Sequence, residues 1–184
     1  MNCLLMFSYC YMRMDHAQKA LKLEKIDKID IRILDQLQQD NTLSMAELAE
    51  RVGLSASPCW RRVKRLQEIG VIRRQSAQLD REKLGLQFVV YVYVKLARSS
   101  RDALEQFEAD VQHWPEVVLC ELMTGASDFL IKVVTEDVRS FDRFLREKLL
   151  AEAVVADTQS RIVVRTVKET SRLPLDPSMA NREV

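Results

Sequence analysis

The amino-acid sequence predicts an α+β protein made of two successive parts. Between residues 26 and 69, apolar side chains recur every three or four positions, which is the period of amphipathic helices. From Leu86 onward the apolar period drops to two over several short segments, which is typical of β-strands. With 184 residues, of which 47% are apolar and 30% charged, the chain is long enough to bury a core.

The composition excludes several classes of protein. Four glycines and four prolines are too few for collagen or for a low-complexity chain. No apolar run approaches the roughly 18 to 20 residues that a membrane-spanning helix needs, so no membrane partner is expected. The four cysteines include no C-x-x-C pair, and only two histidines accompany them. We therefore expect no metal and no cofactor, and we interpret the cysteines as reduced thiols of a cytoplasmic protein.

Residues 1–24 are interpreted as an extension that precedes the folded part. Residues 1–13 are mostly apolar, but they lack the basic start and the small-residue cleavage pattern of a signal peptide. Met12 and Met14 stand just before the first polar, helix-like residues. The stretch is interpreted either as an over-called start codon or as a disordered extension.

The first two helices are predicted from their apolar stripes and their caps. A stripe over residues 26–37 marks the first helix, which Asp27 or Asp30 can cap. The second helix starts at Ser44, where a glutamate three residues later completes a capping box, and Gly53 ends it.

A third helix is expected to start with Ser57 as its N-cap and Pro58 in its first turn, and to end near Ile69. The short connection that contains Gly53 makes the second and third helices a helix-turn-helix. The apolar stripes alone fit a generic small helical bundle equally well.

The polar face of the third helix distinguishes these two interpretations. At 100° per residue, Cys59, Val63 and Leu66 fall on one side, and the opposite side is mostly cationic. Residues 51–74 carry seven basic side chains and one acidic side chain, whereas the rest of the chain carries 21 basic and 26 acidic ones. Arginine can read guanine edges, and lysine and serine can hold phosphates, so this face predicts binding to double-stranded DNA.

The residues expected to contact DNA lie at the start of the third helix, on its polar face and just beyond it. They are Ser55, Ser57, Pro58, Trp60, Arg61, Arg62, Lys64, Arg65, Arg73 and Arg74. Trp60 is favoured as a packing residue over a base-stacking one. Residues 71–79 are predicted to form a short strand pair, the wing of a winged helix-turn-helix, with the last two arginines at its base.

Strands and helices alternate in the second part of the chain. In order they are a strand over 88–94, a helix opened by Ser99 and Asp102, strands over 117–124 and 129–134, a helix from Asp137 to Leu149, and a strand over 160–167. This βαββαβ order is that of the ferredoxin-like fold, whose two helices cover one face of the sheet. Because Val89 and Tyr91 also make the open face apolar, we expect that face to pack against a second subunit.

One motif is highly characteristic. It reads Asp27-x-x-Asp30-x-x-Ile33-Leu34, then Leu48-Ala49-x-x-Val52-Gly53-Leu54-Ser55-x-Ser57-Pro58-Cys59-x-x-Arg62-Val63-x-Arg65-Leu66, then Gly70-x-Ile72. With the βαββαβ segment it resembles the Lrp/AsnC family of feast/famine transcription regulators over residues 25–173. The resemblance implies a DNA-binding domain, a linker, and a ligand-sensing domain that dimerises through its sheet and often assembles into octamers.

The resemblance also implies a small-molecule pocket at a subunit interface. In the family the turn between the second and third strands helps form that pocket; Gly125 and Asp128 match it, whereas Ala126 and Ser127 replace an acid and a larger residue. The loss of the acid predicts either weak affinity for the effector or a preference for an amino acid with a less polar or sulfur-containing side chain. The implied effector-binding residues are Thr124, Gly125, Ala126, Ser127, Asp128, Val138, Arg161, Ile162 and Val163.

The predicted organisation is an extension over 1–24, a winged helix-turn-helix domain over 25–78, a linker over 79–85, a ferredoxin-like domain over 86–170 and a tail over 171–184. The predicted function is sequence-specific transcription regulation in response to an amino acid or a related metabolite. An enzyme is not expected, because neither histidine lies in a triad context and the glycines form no phosphate loop. The alternative is a metabolite-sensing assembly protein without specific DNA binding.

Overall fold

Three helices open the computed structural model, which describes residues 25–98 and 100–180. They are α1 (Lys28–Gln39), α2 (Met45–Val52) and α3 (Ala56–Glu68). Residues 25–78 and 168–180 form one unit, called the helical unit below, and residues 79–167 form the sheet unit. The expectations for residues 1–24 and for Ser99 lie outside the described residues.

The predicted caps of α1 and α2 are confirmed. The side chain of Asp27 accepts hydrogen bonds from the N–H groups of Ile29 and Asp30, at 2.8 Å each. Ser44 and its partner glutamate form the capping box of α2. Gly53 ends α2 with a φ of +74°, a left-handed conformation that glycine adopts without strain.

Helix α3 begins earlier than predicted. Its N-cap is Ser55, so Ser57 and Pro58 lie inside the first turn and the prediction of Ser57 as the N-cap is wrong. Proline is tolerated throughout the first turn because the N–H groups there have no acceptor within the helix.

The predicted strand pair over residues 71–79 is also wrong, since none of these residues lies in a strand. Val71 and Ile72 pack instead against the core of the helical unit, and the N–H of Ile72 donates to the carbonyl of Leu66 at 3.0 Å. The two apolar residues therefore close the end of α3 and leave no alternating pattern for a strand.

A buried carboxylate joins α1 to α3. The side chain of Asp30 is fully buried, and its two oxygens lie 2.8 Å from Arg62 Nη1 and 2.6 Å from Arg65 Nη2. Arg62 also reaches Asp27 at 2.7 Å. Its hydrogen bond with Asp30 is the main reason why the pKa of Arg62 lies above its ordinary value. We call these four side chains the ion network.

The sheet unit has the predicted βαββαβ order. Its elements are β1 (Phe88–Leu96), α4 (Arg101–Val111), β2 (Val117–Leu122), β3 (Phe129–Thr135), α5 (Val138–Phe144) with a π-helical turn (Leu145–Leu149), and β4 (Val155–Ile162). The strands are antiparallel in the order β2-β3-β1-β4, as in ferredoxin-like sheets. Ser100 caps α4, and Asp137 caps α5 as predicted.

The last strand differs from the prediction. It runs over 155–162 and not over 160–167, and Val164 is 98% exposed. Strand β4 lies at the edge of the sheet, where most of its side chains meet solvent, so its sequence VADTQSRI carries little apolar alternation. The prediction rested on the β-branched residues that follow β4. Of these residues, only Val163 extends the pairing, because its N–H donates to the carbonyl of Val89.

The core of the sheet unit lies between the sheet and the two helices. Val90, Val92 and Val94 of β1 are fully buried there. Phe107 of α4 packs on Phe129 of β3, with ring centroids 4.6 Å apart. No helix in the described part of the chain is long and apolar enough to cross a membrane.

We predict that Asp30→Ala lowers the free energy of unfolding of the helical unit by about 2–4 kcal/mol, because two partly buried guanidinium groups lose their counter-charge. The matched control is Glu68→Ala, which removes an exposed carboxylate 3.8 Å from Lys64 and should change stability by less than about 1 kcal/mol. Urea unfolding followed by the fluorescence of Trp60, in a Trp114→Phe background, is the measurement. Equal losses in the two variants would contradict the role of the network.

The network also predicts an acid-dependent loss of stability. Burial alone would raise the pKa of Asp27, but the N–H of Asp30 and the guanidinium of Arg62 stabilise the carboxylate, so this pKa lies below its ordinary value. A lowered pKa in the folded state gives stability that is complete above the unfolded value of about 4 and is lost as the pH falls through the folded value.

Asp27→Asn keeps an N-cap acceptor and removes this ionisation. The variant should be less stable than the wild type at pH 7, and the difference should shrink as the pH falls from about 4 to 2. Urea titrations across that range measure the difference. A difference in the free energy of unfolding that stays constant down to pH 2 would show that Asp27 contributes only as a helix cap.

Candidate nucleic-acid interface and effector site

The inner side of α3 is the predicted apolar stripe. Cys59 and Leu66 have no exposed surface and Val63 is 6% exposed, and all three pack in the core of the helical unit. Burial raises the pKa of the Cys59 thiol, which is consistent with a packing role. This stripe fixes which side of α3 faces outward.

The outer side of α3 presents polar, cationic and aromatic side chains. Ser57, Arg61 and Lys64 are exposed. Trp60 is 51% exposed, so the interpretation of this residue as a packing residue is wrong. Lys64 Nζ lies 5.2 Å from the centre of the Trp60 ring, a cation–π distance.

Arg62 and Arg65 do not share this position. Their side chains are 30% and 33% exposed and hold Asp27 and Asp30 in the ion network. The interpretation of Arg65 as an outward-facing residue is corrected, because a cation on the flank of α3 meets the buried carboxylate of α1. A cleft of about 470 Å³ runs beside the network and is lined by Lys25, Asp27, Pro58, Arg61, Arg62 and Arg65.

Three predicted arginines remain at the surface. Arg61, Arg73 and Arg74 are exposed, and none of them forms an ion pair with another described residue. An exposed guanidinium without an internal partner can pair with phosphate or with a guanine edge at little structural cost. Lys25 lines the same cleft as Arg61 and was not singled out from the sequence, because a single lysine before a helix carries no pattern.

The turn between β2 and β3 is exposed at its tip and buried at its base. Thr124, Gly125 and Ala126 are exposed, and the φ of Gly125 is +125° with open space around it. Asp128 is 1% exposed: its carboxylate accepts the N–H of Leu96 at 2.9 Å and lies 3.1 Å from Lys95 Nζ.

These bonds make Asp128 the anchor of the turn on β1. Its own N–H also donates to the carbonyl of Val94, at 2.9 Å. A carboxylate with this much internal bonding holds the turn in place, and the exposed tip is the part of the turn that a ligand can reach.

The other predicted effector residues lie at the opposite end of β1. Val94 pairs with Phe129, which follows the turn, whereas Val90 pairs with Ile162. Four residues along a strand separate these positions by about 14 Å. The Ile162 end also holds Val138, Arg161 and Val163. Within one chain, the predicted effector residues therefore fall into two groups, a turn group (124–128) and a strand-end group (138 and 161–163).

The open face of the sheet carries aromatic and apolar side chains between charged ones. Tyr93 pairs with Leu130 and Tyr91 with Lys132 in the register of β1 and β3. Arg161 stacks on the ring of Tyr93, with its guanidinium carbon 4.8 Å from the ring centre. The prediction of an apolar second face is therefore only partly correct, since the face alternates apolar and charged positions.

A second cleft, which the sequence did not indicate, lies between α4 and the β2–β3 strands. Its volume is about 560 Å³, and Glu105, Glu108, Cys120 and Phe129 are among its lining residues. Burial raises the pKa of the Cys120 thiol to about 11, so this cysteine stays protonated and unreactive at neutral pH.

Two stretches of the chain match known domain families. Residues 26–73 match the winged helix-turn-helix DNA-binding family, and residues 89–173 match the Lrp/AsnC ligand binding domain. The chain is 39% identical over 149 residues to a proline dehydrogenase transcriptional activator of Rhizobium radiobacter, with 81% of this chain and 96% of the relative covered.

Solved structures show the same similarity. A transcriptional regulator from Neisseria meningitidis in complex with L-methionine is 40% identical with a TM-score of 0.78, over 82% of this chain and 97% of that one. A feast or famine regulatory protein from M. tuberculosis, also complexed with L-methionine, is 27% identical with a TM-score of 0.73, over 82% and 99%. This chain therefore belongs to the Lrp/AsnC family of transcriptional regulators.

Proposed function

We propose that this regulator binds double-stranded DNA through the exposed face of α3, with Arg61 and Lys64 as the principal contacts. The proposal rests on one observation, which is that the arginines of α3 make different contacts. Arg62 and Arg65 hold α3 on the buried Asp30, which leaves Arg61 as an outward cation on a firmly seated helix. Ser55, Ser57 and Pro58 lie at the helix N-terminus, where N–H groups favour phosphate.

Arg73 and Arg74 extend the same cationic surface beyond α3. They lie in an exposed, irregular segment and not in a β-ribbon. Their role in the proposal is to bind backbone phosphates, which position a protein on DNA without reading sequence.

We propose that the DNA-binding form is a homodimer built on the open face of the sheet, with higher assembly up to an octamer. Among the described residues of the sheet unit, both helices pack on the other face of the sheet, away from Tyr91 and Tyr93. A two-fold dimer presents two copies of α3, and such dimers bind half-sites about one helical turn apart.

A small amino acid is the proposed effector. Two relatives of known structure were solved with L-methionine, and the tip of the turn offers Ala126 where the family resemblance implies an acid. The backbones of the turn group and the strand-end group lie about 14 Å apart along β1 in one chain, and the proposed pocket combines the turn of one subunit with the strand end of another. Arg161 can then pair with the ligand carboxylate.

For DNA binding, we predict that Arg61→Ala weakens affinity by about 1–3 kcal/mol if a base is read, and by less and without sequence preference if only phosphate is touched. The matched control is Arg143→Ala, an exposed arginine of α5, which should leave affinity unchanged. Gel shifts on a duplex selected by the wild-type protein from random sequence give the affinities.

The same selection tests the alternative function. A wild-type protein that enriches no sequence would favour a metabolite-sensing assembly without specific DNA binding. Unchanged affinity in the double variant Arg61→Ala/Lys64→Ala would contradict the proposed contact face.

For the effector, we predict that L-methionine raises the melting temperature of the wild type and that Gly125→Val or Arg161→Ala abolishes the shift. The first variant forces a β-branched residue into a left-handed conformation at the tip of the turn, and the second removes the proposed carboxylate partner. Other amino acids are screened in parallel.

Mixing the two variants tests the shared pocket. After subunit exchange, a mixed dimer has one pocket with both wild-type contributions, so calorimetry should recover about a quarter of the sites. A pocket contained in one subunit would recover none. Absence of a thermal shift with every amino acid would contradict the effector proposal as a whole.

A further inference from the structure

The end of the chain belongs to the helical unit, although it follows the sheet unit in the sequence. Residues 168–180, which we call the C-terminal strap, group with residues 25–78 and not with the adjacent 79–167. Over residues 25–180, the chain therefore leaves the helical unit near residue 78 and returns to it near residue 168. The family match to the ligand binding domain ends at residue 173, so most of the strap lies outside it.

The strap is held on α1 by a two-point hydrogen bond and an ion pair. The N–H of Leu173 donates to Gln38 Oε1 at 2.6 Å, and Gln38 Nε2 donates to the Leu173 carbonyl at 3.3 Å. Arg172 Nη2 lies 3.3 Å from Asp35 Oδ1. The side-chain amide of Gln38 thus satisfies both backbone polar groups of Leu173, as a neighbouring extended segment would.

The strap continues along α1 beyond Leu173. A single 3-10 turn (Pro177–Met179), capped by Asp176, also contacts α1, and Met179 and Ala180 are partly buried. The strap is thus attached at two places, by Leu173 and by the 3-10 turn.

The seat of the strap is a separate face of α1. Asp35 and Gln38 lie three residues apart, on the side that also carries Ile31, four residues before Asp35. Ile31 is 7% exposed yet lies outside the core cluster formed by the three helices. At its start, α1 holds α3 through Asp30, so one rigid helix carries both the DNA-contacting helix and the strap.

We propose that the C-terminal strap is a second tether of the DNA-binding helices, which restrains how the two copies of α3 are spaced in the dimer. A domain on one short linker samples many orientations, whereas a second attachment removes much of that freedom. The segment between Ile162 and Lys168 also connects the strap directly to β4, which carries part of the proposed effector set. The proposal rests on the proposed dimeric binding to paired half-sites.

Gln38→Ala removes both hydrogen bonds to Leu173 and so releases the first attachment, and deletion of residues 168–184 removes both attachments. The matched control is Gln36→Ala, on the same helix, whose amide oxygen faces Arg51 of α2 at 3.4 Å. Docking itself is measured in the full-length protein by hydrogen exchange of the strap. We expect protection of the Leu173 N–H in the wild type and in Gln36→Ala, and loss of that protection in Gln38→Ala.

The functional measurement compares two DNA duplexes selected by the wild type, one with its natural half-site spacing and one with about 5 base pairs inserted, half a helical turn. The wild type should discriminate strongly between them. With the strap undocked or deleted, the affinity ratio should fall toward one, while affinity for a single half-site stays at the wild-type value.

The outcomes separate this inference from the proposed function. A wild type that binds no paired half-sites contradicts the proposed dimeric binding. A wild type that discriminates spacing, together with strap variants that discriminate equally well, overturns the tether and leaves the proposed function intact. An unprotected strap in the wild type overturns the tether directly.

Discussion

The burial of one carboxylate sets the arrangement of the helical unit. Asp30 has no exposed surface, and a carboxylate taken from water without cationic partners would cost several kcal/mol. Arg62 and Arg65 supply those partners from α3, and Asp27 adds a further acceptor while it caps α1. The orientation of α3 on α1, and hence the direction of its outer face, follows from satisfying this charge together with burying the apolar stripe of α3.

That constraint explains why arginines of one helix have different roles. The apolar period of α3 placed Cys59, Val63 and Leu66 correctly, because the period of a helix depends only on burial. It could not separate Arg61 from Arg65, since both lie off the apolar stripe and a cation pattern does not show which cation meets a buried acid. The motif itself contained the signal: Asp30 lies four residues after Ile26 and three before Ile33, in line with the apolar stripe, and a polar residue at a buried position requires a partner.

The order of the strands and helices could be predicted for a similar reason, and the ends of several elements could not. Central strands such as β1 have a strong period because both neighbours bury them, whereas the edge strand β4 is polar and its boundary was placed five residues late. The strand pair predicted over residues 71–79 does not form, because Val71 and Ile72 complete the core of the helical unit. Residues 124–128 and 161–163 were grouped by resemblance, and only the strand register shows that they lie at opposite ends of β1.

The same register determines how a ligand could influence DNA binding. A ligand shifts an equilibrium only by its differential affinity for the two states, so a pocket that combined the turn of one subunit with the strand end of another would report on their relative position. The strand end continues through residue 162 into the strap, and the strap seats on the helix that holds Asp30. Residues 163–171 connect the end of β4 to the seat of the strap on α1 through the covalent chain, separately from the linker along 79–85. A physical coupling of this kind needs a contact that can exist in two states. The exposed Arg172–Asp35 pair, the Gln38 amide and the single 3-10 turn together form a seat weak enough to be such a contact.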